Sequence, residues 1–513
     1  MKWCLVPLVL LLLLSPGTNA AQPSGRIKTI VVLVQENRSF DHMLGWLKKL
    51  NPEIDGLTGK ESNPTNLTDP SSGTVFVSDK AEFVDPDPGH SFGAIRDQVF
   101  GFGSTSQNPA PMNGFAQQAE IIQKNLSQRV MSSFRPELVP AYTALAMEFA
   151  ICDKWFASVP ASTQPNRLYV HSATSHGAVS NVRSDLVKGF PQKTIFESID
   201  QDKLSFGIYY QNIPATLFYR NLRSPKYLGK FHNYGLFKTH AKQGKLPNYV
   251  VVEQRYYDTK ATPANDDHPS HDVAEGQKFI KEVYETLRSS PQWNETLLVI
   301  TYDEHGGFFD HVSTPMDNVP NPDGLRGGDD DHFNFDRLGV RVPAIFVSPW
   351  IDKGTVIHRP NGPTKDSQYE HSSIPATVKK IFNLTQPFLT KRDAWAGTFE
   401  TVLSSTRTTP RTDCPVTLPS SPWSLRHSPP NEEGRLTEFQ VEMVGLASQL
   451  NGDYGKSGYP NLGASMTVKY ASDYVDRAVE GIMRAGKVAL QSGGDPNALI
   501  EVLPTSESRK TGT

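Results

Sequence analysis

The chain has 513 residues, of which 37% are hydrophobic and 20% are charged, a composition typical of a globular protein with ample material for a core. Its formal net charge is −3, and no run of Lys and Arg is long enough to follow a phosphate backbone, so the sequence gives no indication of a nucleic acid partner. A charged substrate must therefore be recognised by local groups.

The N-terminus has the pattern of a signal peptide. Lys2 supplies the positive charge, residues 5–14 form a short apolar core, and Thr18 and Ala20 are the small residues that a signal peptidase recognises. The apolar run is too short to cross a bilayer comfortably, so we expect cleavage after residue 20, with an uncleaved anchor as the alternative. The mature chain is expected in the secretory pathway, either secreted or in an endomembrane lumen, without a transmembrane segment.

Apolar, β-branched runs predict strands that are buried on both faces. They cover residues 28–35, 149–156, 204–210, 249–253, 296–302 and 340–347. Helical patterns such as 136–147 and 274–287 lie between them. This alternation predicts an α/β fold with a mostly parallel central sheet covered on both faces. Functional side chains are then expected just beyond the carboxyl ends of the strands.

Composition also suggests boundaries along the chain. The signal peptide is residues 1–20, the main body is 27–404, and a connector with six prolines covers 405–431. Residues 432–513 show apolar side chains at helical spacing and are expected to form a small helical region. After signal cleavage two cysteines remain, Cys152 and Cys414, which allow one disulfide but exclude a disulfide scaffold and a thiolate metal site.

Two pairs of adjacent residues that include carboxylates, the acidic pairs, directly follow predicted strands. Glu36 and Asn37 follow the first strand, and Asp303 and Glu304 follow the strand at 296–302. Carboxylate and amide oxygens suit a hard divalent cation, and adjacent buried carboxylates require a compensating cation. Glu36-Asn37 alone would suit a strand-capping turn. The two pairs together predict one divalent metal site, whose metal the sequence does not identify.

The sequence also predicts a nucleophile. Thr163 lies near the N-cap of a helix predicted over 167–175, with Pro165 in the first turn. Free N–H groups at a helix N-terminus would stabilise an alkoxide and a bound phosphate. The alternative is that Thr163 or Ser162 only caps the helix. With the two acidic pairs nearby, a metal-bound threonine alkoxide becomes the preferred interpretation.

Several histidines stand in polar, turn-rich segments and are candidates for phosphate binding or proton transfer. The preferred ones are His90, His268, His271 and His371. The alternative for each is an ordinary surface histidine. Lower-ranked candidates are His42, His171, His176, His305 and His311.

Sequons suit a glycoprotein in the secretory pathway. They stand at Asn66, Asn125, Asn294 and Asn383. Asn37 is also followed by Arg38 and Ser39 and so matches the pattern. Because a glycan would block a metal ligand, we predict that Asn37 is not glycosylated.

The assembled motifs resemble those of the phosphoesterase family of bacterial phospholipases C and acid phosphatases. The separated blocks read ENRSFDHMLG, DPGHS, STQPNR, DDHPSH, TYDEHGGFFDHV and EHSSIPAT. Their order and spacing, over about residues 27 to 400, look most like the plant non-specific phospholipases C. The C-terminal extension also resembles that group.

This resemblance implies an alkaline-phosphatase-like α/β/α sandwich for the phosphoesterase catalytic domain, 27–404. Thr163 would be the nucleophile and form a phosphothreonine intermediate. A divalent metal ion would be held by Glu36, Asn37, Asp303 and Glu304. Phosphate binding and acid or base catalysis would fall to His90, His268, His271 and His371.

The resemblance also implies the substrate class, namely glycerophospholipids such as phosphatidylcholine at a membrane surface, cleaved to diacylglycerol and a phosphorylated headgroup. The acid phosphatases use a serine nucleophile and a pair of aspartates, so Thr163 and the pair Asp303-Glu304 favour the phospholipase branch. The rival interpretations are a phosphomonoesterase that uses the same residues and a catalytically dead secreted lipid-binding protein. A sulfatase is disfavoured because the chain has no C-x-P-x-R motif.

Overall fold

The structure is a computed structural model that describes residues 25–180, 188–327, 332–404, 406–453 and 462–499. The predicted signal peptide, residues 1–20, and the end of the predicted C-terminal region lie outside the described residues. Within the described ranges, none of the helices has the length and apolar character needed to cross a membrane.

The described residues form strands that centre on one large sheet. In chain order the strands are β1 (Thr29–Gln35), β2 (Ser62–Pro64), β3 (Thr74–Phe76), β4 (Ala150–Cys152), β5 (Trp155–Phe156), β6 (Phe206–Tyr210), β7 (Phe231–Asn233), β8 (Tyr249–Val252), β9 (Thr296–Tyr302), β10 (Ala344–Val347), β11 (Thr355–Ile357) and β12 (Tyr369–Glu370). Eight of them form a sheet in the order β11-β4-β10-β9-β1-β8-β6-β7. Within this sheet only β10 runs antiparallel to its neighbours.

Helices surround this sheet and extend into the C-terminal region. The α-helices are Phe40–Leu44, Phe92–Phe100, Phe115–Ile122, Leu126–Val130, Pro140–Glu148, Thr163–Ser172, Ile195–Gln201, Pro225–Leu228, Tyr234–Lys242, Val273–Arg288, Ser373–Phe382, Lys391–Trp395, Glu438–Leu450 and Val468–Gln491. Short 3-10 helices are Gly45–Lys49, Pro70–Ser72, Ala215–Phe218, Arg220–Arg223, Trp293–Glu295, Glu400–Val402 and Gly463–Ser465. The predicted fold class, a mostly parallel sheet with helices and a helical C-terminal region, is confirmed.

The central strands are apolar without alternation because both of their faces are covered. Every residue of β1 and β9 is buried. The prediction of one strand over 149–156 is wrong, because a turn at Asp153 and Lys154 separates β4 from β5. The helix predicted over 167–175 is also misplaced: it spans Thr163–Ser172, and Ala173 ends it in the left-handed conformation at φ 56°.

The C-terminal region shares the main hydrophobic core. Helix Glu438–Leu450 buries Phe439, Met443 and Val444 in the same cluster as the central strands. Along the proline-rich connector, Tyr284 on the main body donates to the carbonyl oxygen of Pro415 at 2.6 Å. The region is therefore packed against the main body.

Cys152 and Cys414 are both buried as free thiols. The disulfide that the composition allowed is therefore not formed in this structure.

Candidate active site

The pairing of two central strands brings the two acidic pairs together. β1 and β9 are parallel neighbours, and Gln35 at the end of β1 pairs with Tyr302 at the end of β9. The residues that follow are therefore side by side, and the backbone N–H of Asn37 donates to Oδ1 of Asp303 at 3.1 Å. Glu36, Asn37, Asp303 and Glu304 are each at most 1% exposed.

Backbone geometry keeps the two turns in close contact. Asn37 has a φ of 56°, in the left-handed region that asparagine tolerates better than most residues. A Cβ atom at Gly306 would lie 2.1 Å from the carbonyl oxygen of Asn37, so only glycine fits there. The N–H of Gly306 also donates to Oε2 of Glu304 at 2.7 Å. This glycine therefore allows the close approach and holds one carboxylate in place.

Thr163 is the first residue of helix Thr163–Ser172, so the free N–H groups of the first turn surround it. Its hydroxyl donates to Oδ1 of Asn37 at 3.3 Å, and its side chain is 1% exposed. The predicted nucleophile is therefore adjacent to the predicted metal ligands. The helix start, four residues earlier than predicted, is what puts it there.

Arg167 is a site residue that the sequence analysis did not single out. Its Nε lies 2.9 Å from Oδ2 of Asp303, and its Nη2 lies 3.0 Å from Oε1 of Glu36. The signal that could have identified it is its spacing, since Arg167 follows Thr163 by four residues and so lies on the same helix face. A buried guanidinium thus bridges the two strand ends.

Burial makes the carboxylates of this site costly to ionise. It raises the pKa of Glu36 well above the usual value, raises the pKa of Asp303, and raises the pKa of Glu304 to about 7. Arg167 acts against this effect at Glu36 and Asp303. Arg167 contacts two of these carboxylates, and the third, Glu304, lies 2.9 Å from Nδ1 of His90.

These residues fit a divalent cation. Oε2 of Glu36 is buried and has no hydrogen-bond partner in the described part of the chain. Buried carboxylates and an amide oxygen are a donor set for hard and borderline divalent ions. A bound cation would also compensate the surplus negative charge that Arg167 leaves.

Three of the predicted histidines lie in loops near this site. Nδ1 of His90 lies 2.9 Å from Oε1 of Glu304, which connects this ring to the acidic pair. His268 is 2% exposed. Nδ1 of His271 lies 2.7 Å from Oδ1 of Asp266, an acidic residue that the sequence analysis did not select.

His271 has the environment of a general acid. Burial lowers its pKa, but Asp266 more than offsets this, so that the pKa lies above its usual value overall. The ring also lines a cleft whose other walls are formed by the main body and by the connector, through Phe83, Asp85 and Arg426. His271 can therefore hold a proton at a position that faces an opening.

His371 lies behind the acidic pair. Its Nε2 contacts the backbone carbonyl oxygen of Asp303 at 2.6 Å, and Trp155 donates to its Nδ1 at 3.3 Å. Because Nδ1 accepts, Nε2 carries the hydrogen, and both ring nitrogens are used within the protein. Burial lowers its pKa to about 4, so the ring is neutral near pH 7. This position supports Asp303.

Of the lower-ranked histidines, His305 borders this arrangement, with its Nδ1 3.5 Å from Oε2 of Glu304. His176 is exposed. The other four have protein partners: His42 contacts the Ser132 carbonyl, His171 the Tyr249 hydroxyl, His305 the Gln98 amide and His311 the Asp41 carboxylate.

Known proteins are similar to this chain over most of its length. Residues 27–385 match the model of the phosphoesterase family. Non-specific phospholipase C1 of Arabidopsis thaliana is 63% identical over 96% of this chain and 92% of that protein. Non-specific phospholipase C3 of the same plant is 55% identical over 97% of this chain and 96% of that protein.

More distant similarities extend to bacteria. Phospholipase C B of Mycobacterium tuberculosis is 26% identical over 72% of this chain and 76% of that protein. Among solved structures, a protein in the alkaline phosphatase superfamily from Vibrio parahaemolyticus is 11% identical, with a TM-score of 0.34 and 72% coverage of both chains. By the family match and the high identities to the plant proteins, the chain belongs to the phosphoesterase family and is a hydrolase.

Proposed function

We propose that this chain is a phospholipase C that cleaves the glycerol-side phosphodiester bond of glycerophospholipids through a Thr163 nucleophile. The observation that carries the proposal is the position of the Thr163 hydroxyl. It lies at a helix N-terminus, 3.3 Å from Oδ1 of Asn37, beside the paired strand ends. The plant and bacterial relatives named as phospholipases C support the reaction class.

Glu36, Asn37, Asp303 and Glu304 would hold the divalent cation. When bound there, the cation would lower the pKa of the Thr163 hydroxyl and neutralise the phosphoryl oxygens. The N–H groups of the first helical turn would receive a phosphoryl oxygen. Arg167 positions Glu36 and Asp303 from behind.

The reaction then has two displacement steps. In the first, the Thr163 Oγ1 alkoxide, whose proton has been lost to solvent, bonds to phosphorus, and the bond from phosphorus to the glycerol oxygen breaks. His271, oriented by Asp266, gives its proton to that oxygen, and diacylglycerol leaves. In the second, His271 takes a proton from water as the water oxygen bonds to phosphorus. The Thr163 oxygen leaves, and the phosphorylated headgroup is released.

His271 lines the cleft, whereas both ring nitrogens of His371 are engaged within the protein, so His271 is our choice. His90 and His268 lie near Glu304 and Asp87 and would contact the phosphoryl group.

The test is mass spectrometry of the products from phosphatidylcholine vesicles, with and without a chelator. We expect wild type to release diacylglycerol and phosphocholine and to lose activity with the chelator. Thr163→Ala should lose at least about 10³-fold in turnover, whereas Thr163→Ser, which keeps a hydroxyl, should retain measurable activity. Wild-type turnover by Thr163→Ala would remove Thr163 from its role.

The same assay separates the rivals. A phosphomonoesterase would act on a simple phosphate monoester and leave the intact phospholipid unchanged, and a dead lipid-binding protein would turn over neither.

A further inference from the structure

A surface groove that none of the active-site residues lines lies along helix Ser373–Phe382 and helix Lys391–Trp395. Its volume is about 470 Å³, within the roughly 300–1,000 Å³ of small-molecule sites. Asn383, which is followed by Leu384 and Thr385 and so forms a sequon, is part of the wall of this groove. A glycan on Asn383 would therefore begin at the groove.

The fold leaves the side chain of Asn383 free for a glycan. Asn383 ends helix Ser373–Phe382 in the left-handed conformation, at a φ of 51°, which asparagine tolerates well. Its backbone N–H donates to the carbonyl oxygen of Lys380 at 3.3 Å. Its side chain is exposed, and the amide takes part in none of the hydrogen bonds of the described residues. A sugar attached there breaks no contact of the protein.

The groove has an apolar floor and an aromatic side wall. Ala376, Leu384 and Ala396 line it and are each at most 5% exposed. Phe388, also in the wall, is 43% exposed, a large fraction for a phenylalanine. The negative face of an aromatic ring attracts the C–H groups that a sugar ring presents on its apolar side. Phe388 is therefore a platform for a sugar ring.

The charged side chains of the groove are already compensated within the protein. Nζ of Lys380 lies 2.5 Å from Oε1 of Glu400. Nζ of Lys379 donates to the carbonyl oxygen of Leu384 at 2.7 Å, and the carboxylate of Asp393 accepts from two backbone N–H groups. A charged ligand would have to displace these partners, whereas a neutral one would not. The groove thus suits a neutral polar ligand, the class that includes the N-acetylglucosamine and mannose residues of an N-glycan core.

We propose that an N-glycan attached to Asn383 folds back into this groove and packs its first sugar residues against Phe388. The amide of Asn361 and the hydroxyls of Thr398 and Thr401, which also line the groove, would hydrogen-bond the sugar hydroxyls. Because the sugars are tethered to the wall of the groove, their effective concentration there is high, and weak contacts are sufficient to hold them. The inference depends on glycosylation of the chain and is independent of its phospholipase activity.

The test compares two glycans on the same molecule. The full-length protein is expressed in a secretory host whose glycans are kept in the high-mannose form, and the folded product is treated with an endoglycosidase. Mass spectrometry of the glycopeptides measures the rate of glycan removal at Asn383 and at Asn294, an exposed sequon outside the groove that serves as the matched control. We expect removal at Asn383 to be about 2- to 10-fold slower, the factor that corresponds to an aromatic contact.

Two substitutions of Phe388 identify the contact. Phe388→Ala should bring the removal rate at Asn383 to that at Asn294, whereas Phe388→Trp, which keeps an aromatic ring, should retain the protection. The side chain is at the surface, so neither variant should prevent folding. The proposal would be overturned by secreted protein without a glycan on Asn383, by equal removal rates at the two sequons in wild type, or by protection that persists in Phe388→Ala.

Discussion

Nε of Arg167 lies 2.9 Å from Oδ2 of Asp303, an ion pair that ties helix Thr163–Ser172 to the end of β9. Its Nη2 reaches Glu36 at the end of β1. Because Thr163 and Arg167 are one helical turn apart, the same helix presents the proposed nucleophile and fixes it relative to the acidic strand ends.

Removing Arg167 should therefore damage both stability and turnover. Arg167→Ala leaves Asp303 and Glu36 buried without their partner, and we expect a loss of about 3–5 kcal/mol in the free energy of unfolding. Turnover should fall at least about 10²-fold because Thr163 loses its alignment. Arg167→Lys keeps the charge but lacks the planar guanidinium that reaches both carboxylates, so its losses of stability and turnover should be intermediate.

Urea denaturation and diacylglycerol release measure these two effects. Arg96→Ala is the control, since Arg96 is exposed and pairs only with its neighbour Asp97 among the described ion pairs. An unchanged turnover in Arg167→Ala would contradict this role.

Phe439 should connect the C-terminal region to catalysis. The guanidinium carbon of Arg167 lies 5.6 Å from the centre of the Phe439 ring. The centres of the Phe439 and Tyr256 rings are 5.1 Å apart. Phe439→Ala should cost about 3–5 kcal/mol of stability and lower turnover by releasing Arg167. Trp423→Ala, at a side chain that is 60% exposed, should change stability by no more than about 0.5 kcal/mol. Equal effects of the two substitutions would argue against this connection.

Glycopeptide mapping tests the secretory route together with the metal site. We propose that the chain enters the secretory pathway, and we expect glycans at the exposed sequons of Asn125, Asn294 and Asn383. Asn37 should carry none, because it is 0% exposed and contacts Thr163. Asn37→Gln should accordingly lose activity without a change in glycan mass. A glycan on Asn37 in active enzyme would contradict the assignment of Asn37 as a metal ligand.

His171 should make the fold sensitive to acid. Burial lowers its pKa to about 3, and its Nδ1 contacts the Tyr249 hydroxyl at 3.0 Å. The unfolded chain has a histidine pKa of about 6.5, so this contribution to stability is complete above that pH and is lost as the pH falls toward 3. Between pH 6.5 and pH 5 the loss is about 2 kcal/mol.

The comparison is the urea stability of wild type and His171→Gln at pH 7 and pH 5. The variant should lose less stability than wild type on acidification, while the exposed-site control His427→Gln should behave as wild type does. A pH dependence of His171→Gln identical to that of wild type would contradict the assignment.

The sequence was sufficient to predict the fold class and to select the two acidic pairs. β1 and β9 are buried on both faces, so their apolar runs stood out, and the parallel register then placed Glu36-Asn37 beside Asp303-Glu304. The edge strands β7 and β11 were missed because each has three residues, too few to show a pattern. The antiparallel direction of β10 depends on connections that leave no local signal.

The missed site residues depend on contacts that the sequence pattern does not show. Arg167 pairs with residues 131 and 136 positions away, and Asp266 becomes an orienting group only once His271 turns toward it. His371 was selected by its polar surroundings, yet in the fold its ring supports the Asp303 carbonyl. Such distinctions require the tertiary structure.

The central claim is that Thr163 attacks phosphorus, and trapping the covalent intermediate tests it most directly. Enzyme mixed with phosphatidylcholine vesicles is quenched in acid during turnover, digested, and examined by peptide mass spectrometry. The account predicts phosphocholine attached to Thr163, and no adduct in Thr163→Ala. An active enzyme whose adduct lies on another residue, or whose Thr163 peptide stays unmodified under conditions that trap an adduct elsewhere, would contradict it.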